Sequence, residues 1–340
     1  MSDKVYPIAN ETTVRPDLDK DLFVLGEINE EESEHLASEP YSYWKSVFRS
    51  FIKKPSAIIG LVTLGLFIIL TLFVPLFAPA EAYETHVTDL QFAASGNKYL
   101  KDLAPFDSKS ETLLLFGTDS IGRDLFFCCW KGAGLSLLLA LSSSAILLII
   151  GTLVGLIWGY FRKLDRLFIE IYNVISNIPS LLLYMLLAVV IRESAPSVPL
   201  EVRLVISLSI LGWAGLALFI RNQTLIISNR EYNVASKTLG TPPFRIMTRN
   251  FLPYLLAVII TEASLLIPGM VSSEVTMSYF GLGLGKSDVS LGAVLNLGIY
   301  KFDQCWWQLA FPAFLLAWII FSFYLIGMAL SDALDPKTHR

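Results

Sequence analysis

Charge is what this sequence has least of, and its absence is organised. Only 16% of the 340 residues are Asp, Glu, Lys or Arg, while 54% are hydrophobic. A soluble domain carries about 25% charged residues. No charge falls within Ser56–Ala80, Gly132–Phe161, Ile171–Ile191, Leu204–Ile220 or Gln304–Ser331, runs of 25, 30, 21, 17 and 28 residues. A sixth stretch, Asn250–Ser273, holds one charge, Glu262. About 20 apolar residues as a helix cross the hydrocarbon core of a bilayer. Six such runs exclude a soluble domain. The missing apolar–polar alternation in "SAIIGLVTLGLFIILTLFVPLFAP" excludes the strands of a membrane barrel. The expected fold is therefore all-α and polytopic, with six transmembrane helices.

Other absences narrow the chemistry. Three cysteines, two of them adjacent at Cys128 and Cys129, make neither a disulfide framework nor a metal-ligand spacing. His35, His86 and His339 are too scattered to suggest a metal site. "GLGLGKS" ends like a phosphate loop, but the pattern needs glycine five residues before Gly285, where Phe280 stands. No nucleophile–base constellation or carboxylate pair points to hydrolysis. No cofactor and no catalytic residue are expected in this chain. Residues 1–43 hold eleven acidic residues against three basic ones, which disfavours nucleic acid and reads as a solvated tail. The first apolar run begins after 55 residues and is not expected to be a removable signal peptide.

Lys and Arg near helix ends mark the cytoplasmic side. With the N-terminus inside, fourteen flank the helices on the inner side and nine on the outer. The chain then reads as an acidic cytoplasmic tail (1–43), an interfacial helix with the first span (44–80), an extracellular loop (81–131), and a core with spans two to six (132–335). Both termini are cytoplasmic. In "YSYWKSVFRSFIKK" the aromatic and aliphatic residues share one helical face and Lys45, Arg49 and Lys53 the other, the pattern of a helix lying in the membrane interface. Cys305 precedes the sixth span on the outer side, where it is expected to react with an impermeant thiol reagent. Pro179 is expected to kink the third span, with Asn173, Asn177 and Ser180 near the freed carbonyls.

What the chain does contain is an unusual cytoplasmic loop, 223–252. A connection between spans needs only a few residues. This one includes "SNREYNVASKTLGTPPFRIMTRNFLPY", where Ser228 and Glu231 fit a capping box opening a helix of about three turns. Gly240 and the prolines after it end that helix, and a second short helix is expected near 243–250. Two capped helices at a fixed angle read as a docking element, with Glu231, Tyr232, Ala235, Ser236, Leu239 and Gly240 as its contact residues.

This loop resembles the cytoplasmic EAA loop of ABC-importer permeases. Ala235, Gly240, Leu252 and Pro253 match, Ser236 is a near match, and Val234 departs from the family's glutamate. "FGTDSIGRDLF" (116–126), "SEVTMSYFGLGLG" (273–285) and "SDALDPK" (331–337) resemble signatures of the dipeptide/oligopeptide/nickel permease family, in its C-type subunit. The acidic lead-in before "YSYWKSVFRSF" is similar to Gram-positive members. The resemblance implies a type I importer permease of the bacterial plasma membrane, most like those for oligopeptides, with dipeptide or nickel import as the alternative. It implies a second homologous permease, two cytoplasmic ATPases that hold ATP and Mg, an extracellular substrate-binding protein, a peptide substrate and surrounding lipid. The segment Asn229–Leu239 would be the coupling helix, seated in a groove of one ATPase and passing its closure to the path.

Glu262 lies near mid-membrane, where a carboxylate normally faces the bundle interior or a wet cavity. It contacts a peptide amino group, or is protonated, or bonds a neighbouring helix. Gly117, Thr118, Asp119, Gly122, Arg123 and Asp124 read as a turn held by an Arg–Asp pair, shaping the entrance or bracing the outer face. The resemblance places Glu274 in a recurring family motif, which implies a structural role for it. A secondary transporter would show an internal repeat and several polar midplane groups, a channel a filter or ring of like residues, and neither is evident.

The purified chain alone is expected neither to bind nor to hydrolyse ATP. Saturable, magnesium-dependent ATP binding to the isolated subunit, measured by equilibrium dialysis, would overturn that assignment.

Overall fold

The structure, a computed structural model, describes residues 43–83, 101–107, 113–283 and 289–334. The acidic tail to residue 42, the loop segments 84–100 and 108–112, residues 284–288 of the glycine-rich stretch and the terminal residues 335–340 lie outside the described residues. Within the described residues regular structure is helical, apart from one isolated antiparallel bridge between Thr118 and Asp124.

The elements follow from the charge-free runs. An amphipathic helix α1, Tyr43–Ile52, precedes α2, Pro55–Phe73. Proline at the first position of α2 sacrifices no hydrogen bond there. Helix α3, Leu125–Tyr160, has 36 residues. It starts seven residues before the charge-free run, at the Asp124 cap, and takes in Lys131, whose amine lies over the Tyr83 ring, 4.0 Å from its centroid. The third span is broken. Helices α4, Asp165–Ser176, and α5, Ser180–Ser194, meet at 86°. Pro179 forms the break, sharper than the expected kink. The Asn173 carbonyl left at the end of α4 accepts from the Asn177 side-chain amide at 2.7 Å.

Helix α6, Leu200–Ser228, extends beyond its charge-free stretch at both ends, taking in Arg203 and Arg221. Asp165 takes two donors from Arg221, at 3.0 and 2.6 Å, and one from the Trp158 indole at 2.8 Å, so the inner ends of α3, α4 and α6 are clamped together. After the short helix α7, Glu231–Thr238, one continuous run of 37 residues, Pro243–Tyr279, forms the fifth span. Its first turn α8, Pro243–Ile246, passes through a π-turn, Met247–Phe251, into α9, Leu252–Tyr279. Helix α10, Leu291–Ile299, and the sixth span α11, Trp307–Leu334, complete the fold. Among the described residues five helices are long and apolar enough to cross a membrane, and six if the bent α4–α5 pair is one span.

Lipid tails are as apolar as leucine, so helices in a bilayer associate through close packing and polar contacts. Gly151, Gly155 and Gly159 put one flank of α3 against α6. A Cβ on Gly155 would stand 2.7 Å from the Ala217 carbonyl oxygen, and one on Gly159 would stand 2.6 Å from the Thr224 Cβ. Leu216, Ala217, Ile220 and Thr224 supply the facing surface. Trp318 donates its indole N–H to the Thr63 carbonyl at 3.2 Å, and Ser322 its hydroxyl to Thr63 Oγ1 at 3.0 Å, fastening α11 to α2. Val47 and Phe51 of α1 are buried with Ala57, Ala329 and Ala333, while Phe48 remains 65% exposed. Lys54 pairs with Asp332 at 3.0 Å beside that cluster.

Gly155→Leu is expected to cost about 3 kcal/mol through overpacking and to lower the thermal midpoint in detergent. Gly215→Ala, with open space around the new methyl, should leave it unchanged within about 0.5 kcal/mol. Equal midpoints for both variants would remove the stripe from its organising role.

Candidate coupling and translocation site

At the inner side, α6 ends at Ser228 and the chain turns immediately into α7. The expected capping box does not form. Ser228 closes α6, and Arg230 is the residue that caps α7, without a side-chain bond. The first helix is long enough to absorb Ser228, whose hydroxyl instead accepts from Lys237 Nζ at 2.7 Å. Glu231 falls in the first turn of α7, where its charge complements the helix dipole. The helix is two turns rather than three. The separate second helix is also absent, since residues 243–251 run continuously into the fifth span.

The C-terminus of α7 is closed as its glycine suggests. Gly240 has φ +77, its N–H reaches the Lys237 carbonyl at 3.1 Å, and the Thr241 N–H reaches the Ser236 carbonyl at 3.1 Å. These are the two bonds of a Schellman stop. The same pair ends α9 at Gly281, from Gly281 to Ser278 and from Leu282 to Met277, both 3.0 Å.

Three contacts fix α7 to the bundle. Asn233 is fully buried. Its amide donates to the Ile227 carbonyl at 2.8 Å, and its oxygen accepts from Asn250 Nδ2 at 3.0 Å. Arg230 donates to the Tyr254 hydroxyl at 2.6 Å and lies over that ring. Lys237, besides its bond to Ser228, sits 5.0 Å from the centroid of the Tyr160 ring, and burial, with Arg162 nearby, lowers its pKa. So α7 is tied to the end of α6, to the end of α3 and to the start of the fifth span.

The opposite face is left bare. Glu231, Tyr232, Ala235, Leu239 and Gly240 are exposed, and Ser236 is half-buried. Leu239 is 85% exposed and Phe244, just beyond the stop, 75%. Phe244 and Val234 were not among the sequence-derived contact residues. Two large apolar side chains beside a double proline were the signal for Phe244.

On the outer side, the turn 118–124 is closed by the Thr118–Asp124 bridge. The Asp119 carboxylate accepts from the Ile121 and Arg123 N–H groups at 3.0 and 2.8 Å and from Arg123 Nε at 2.7 Å. Both side chains are buried. Burial alone would lower the Arg123 pKa, and the adjacent Asp119 carboxylate more than offsets it. Gly117 and Gly122 adopt φ +77 and +87. Asp124 caps α3 by accepting from the Phe126 N–H at 2.9 Å, and its burial lifts its carboxyl pKa to about 6. The turn is anchored from two sides. Gln308 donates to both the Thr118 carbonyl and Asp102 at 2.9 Å, and Lys301 pairs with Asp102. Cys305 lies in this braced region and is only 5% exposed, with burial raising its thiol pKa. It is a poor target for an external reagent, contrary to its expected reactivity.

Glu274 is fully buried between α3, α9 and α10. It accepts from Ser136 at 2.8 Å and from Ser278 at 2.9 Å, with the Ser290 hydroxyl as a further partner. Ser136 in turn accepts from the Leu291 N–H at 3.2 Å, and Ser290 caps α10. Glu262, by contrast, is half-buried, and no side-chain partner holds it among the described residues. A cavity of about 290 Å³ opens at the α4–α5 break, where Tyr172, Ser176, Ser180 and Tyr184 line it with Gly212. Glu262 does not line it. The structure therefore keeps three groups apart: the α7 face at one end of the bundle, the braced turn before α3 at the other, and Glu262 in the middle of the fifth span.

Residues 151–340 match the family described as binding-protein-dependent transport system inner membrane component. The chain belongs to that family. Residues 42–98 of this permease match the N-terminal TM domain of oligopeptide transport permease C. The oligopeptide transport system permease protein AmiD of Streptococcus pneumoniae is 35% identical over 95% of this chain and 99% of its own length. The Bacillus subtilis oligopeptide permease protein OppC is 30% identical over 94% and 98%, and the dipeptide permease protein DppC of the same organism 30% over 94% and 93%. The permease is a multi-pass protein of the bacterial plasma membrane, and its role is transport.

Asn233→Leu removes the amide that joins α7 to Ile227 and Asn250; the Ile227 carbonyl keeps the Arg230 N–H at 3.1 Å, and the Asn250 amide loses its partner, at a cost of about 1–3 kcal/mol. The variant permease is expected to insert and purify normally but to expose α7 to limited proteolysis. Unchanged cleavage between residues 229 and 245 would show that the Asn233 contacts do not hold the element.

Proposed function

We propose that this permease forms half of the translocation path of an ABC importer for oligopeptides, as its oligopeptide relatives support, and that α7 couples the path to ATP hydrolysis in partner subunits. A second homologous permease supplies the other half. Two cytoplasmic ATPases carry ATP and Mg, and an extracellular binding protein delivers the substrate. The named relatives transport oligopeptides or dipeptides, which supports a peptide substrate for this chain.

The observation that carries the reading is the contrast between the two faces of α7. One is riveted to three spans, and the other offers Tyr232, Leu239 and Phe244 to the cytoplasm. An exposed apolar surface on a rigidly held element suits a groove on another protein. A push on that face reaches α6 and the fifth span together, because Asn233 and Asn250 join them. Two conformations of the bundle, each favoured by one state of the ATPases, would then alternate access to the path. In the same proposal, Glu262 faces the path and the outer turn from Gly117 to Asp124 frames the entrance.

Gly240 gives the decisive variant. A side chain there meets no atom within 4 Å, so the local cost is only the left-handed backbone, about 1 kcal/mol. Gly240→Asp should therefore insert and pair with the partner permease, yet lose transport, with ATPase activity no longer responding to a loaded receptor. Ala235→Asp should act similarly by placing charge on the bare face. Lys237 is unsuitable as a neutral control because its amine is one of the three fastenings; Thr238→Ser, a local change, should transport normally. Normal uptake and normal stimulation by Gly240→Asp would reduce α7 to a connecting loop.

A further inference from the structure

At the outer ends of α5 and α6 lies a cavity of about 260 Å³ that no function described so far uses. Its polar lining is Arg192 from α5, and Arg203 and Ser207 from α6. Its walls are Ala188, Leu200 and Leu204, with Gly281–Gly283 at the end of α9 closing the far side. Arg192 is mostly exposed and makes a loose pair with Glu193 at 3.6 Å. Arg203 differs. It sits one turn inside a membrane-spanning helix, and its Nε is buried without a hydrogen-bond partner among the described residues. The nearby Ser207 hydroxyl donates to the Arg203 carbonyl at 2.7 Å and takes no bond from Nε.

Ionisable residues in spans mark ligand sites or pathways, and burying a polar nitrogen without a partner is costly, which applies here to Nε of the half-buried Arg203 guanidinium. Its five donors form a planar fork that matches an oxyanion with two oxygens. Arg192, at the rim of the same cavity, adds attraction for a negative group entering from outside. The burial of Arg203 Nε and the limited volume admit a small terminal group between apolar walls. Gly281, with φ +76, lets the chain end α9 without placing a side chain there.

We propose that this cavity binds the C-terminal carboxylate of a peptide as it leaves the receptor, with Arg203 as the principal contact and Arg192 as the attracting charge. This rests on the peptide reading given above. The same oxyanion chemistry is offered by the phosphate of an anionic lipid, and the experiment separates the two sources.

The intact transporter, with its partner permease, ATPases and receptor, is reconstituted in liposomes. Uptake of tetra-alanine is compared with that of its C-terminal amide, which lacks the negative charge. The receptor's own preference cancels when the acid-to-amide ratio is compared between permease variants. Arg203→Gln should lower that ratio about tenfold, as expected for the loss of a charge-assisted bond, through the acid alone. Arg203→Lys should retain part of it. Arg192→Gln, on another helix, should lower it about threefold and gives a second reading where Arg203→Gln does not assemble. The ratio should be the same in phosphatidylcholine vesicles with and without phosphatidylglycerol. An unchanged ratio in both glutamine variants overturns the site. An effect of Arg203→Gln that appears only with phosphatidylglycerol assigns the cavity to lipid and also overturns it. If the unaltered transporter takes up neither peptide, the peptide reading itself fails and this site with it.

Discussion

The close approach of α3 to α6 is the constraint on which the remaining architecture hangs. Without a hydrophobic force to drive helices together in lipid, backbone proximity must come from what side chains leave out. Glycine at 151, 155 and 159 removes the obstruction along three turns, and the α6 surface from Leu216 to Thr224 fills the space. Because α6 is held along this length, the direction in which it delivers the chain at Ser228 is also held. The orientation of α7 is thus inherited from packing that begins far from it. The clamp of Asp165, Arg221 and Trp158 secures the same helices where the glycine stripe ends.

Around this pair, buried polar groups act as fasteners between segments distant in sequence. Glu274 joins α3, α9 and α10 through serine hydroxyls. Asp119 and Arg123 close a turn whose carbonyl at Thr118 is then taken by Gln308 of α11. Asn233 joins α6 to the fifth span. Each is costly to bury alone and becomes specific once satisfied, since few other arrangements would satisfy it. The apolar residues set which surfaces meet lipid, and these few polar ones set which helices meet each other.

Much of this was legible in the residues. The charge-free runs located the spans because the cost of a charge in hydrocarbon is large and local. Gly240 announced its stop because φ near +77 is costly for almost any other residue. The Asp119–Arg123 pair was readable because its partners lie four residues apart. What escaped reading involved partners far apart in sequence or competition between neighbouring elements. Ser228 looked like a cap because "S-x-x-E" suits one, yet α6 could extend to include it and Lys237 could use its hydroxyl. Residues 243–250 looked separate because of the double proline, but proline is tolerated in a first turn, and the π-turn carries the helix on. Lys131 and Arg203 seemed to bound spans that in fact include them. Asn233 carried no local mark at all, since its two partners come from Ile227 and Asn250.

The length of α3 has a consequence for the membrane itself. From Gly132 to Tyr160 it presents 29 uncharged residues, about 43 Å of helix at 1.5 Å per residue. A hydrocarbon core is about 30 Å thick. The helix accommodates this excess by leaning, by burying its surplus against protein, or by thickening the lipid around it. Since α6 is locked to α3 by the glycine stripe, a change in bilayer thickness that alters the lean of one must be carried by both. The acyl-chain length of the host membrane is therefore a mechanical input to the same pair of helices that aims α7.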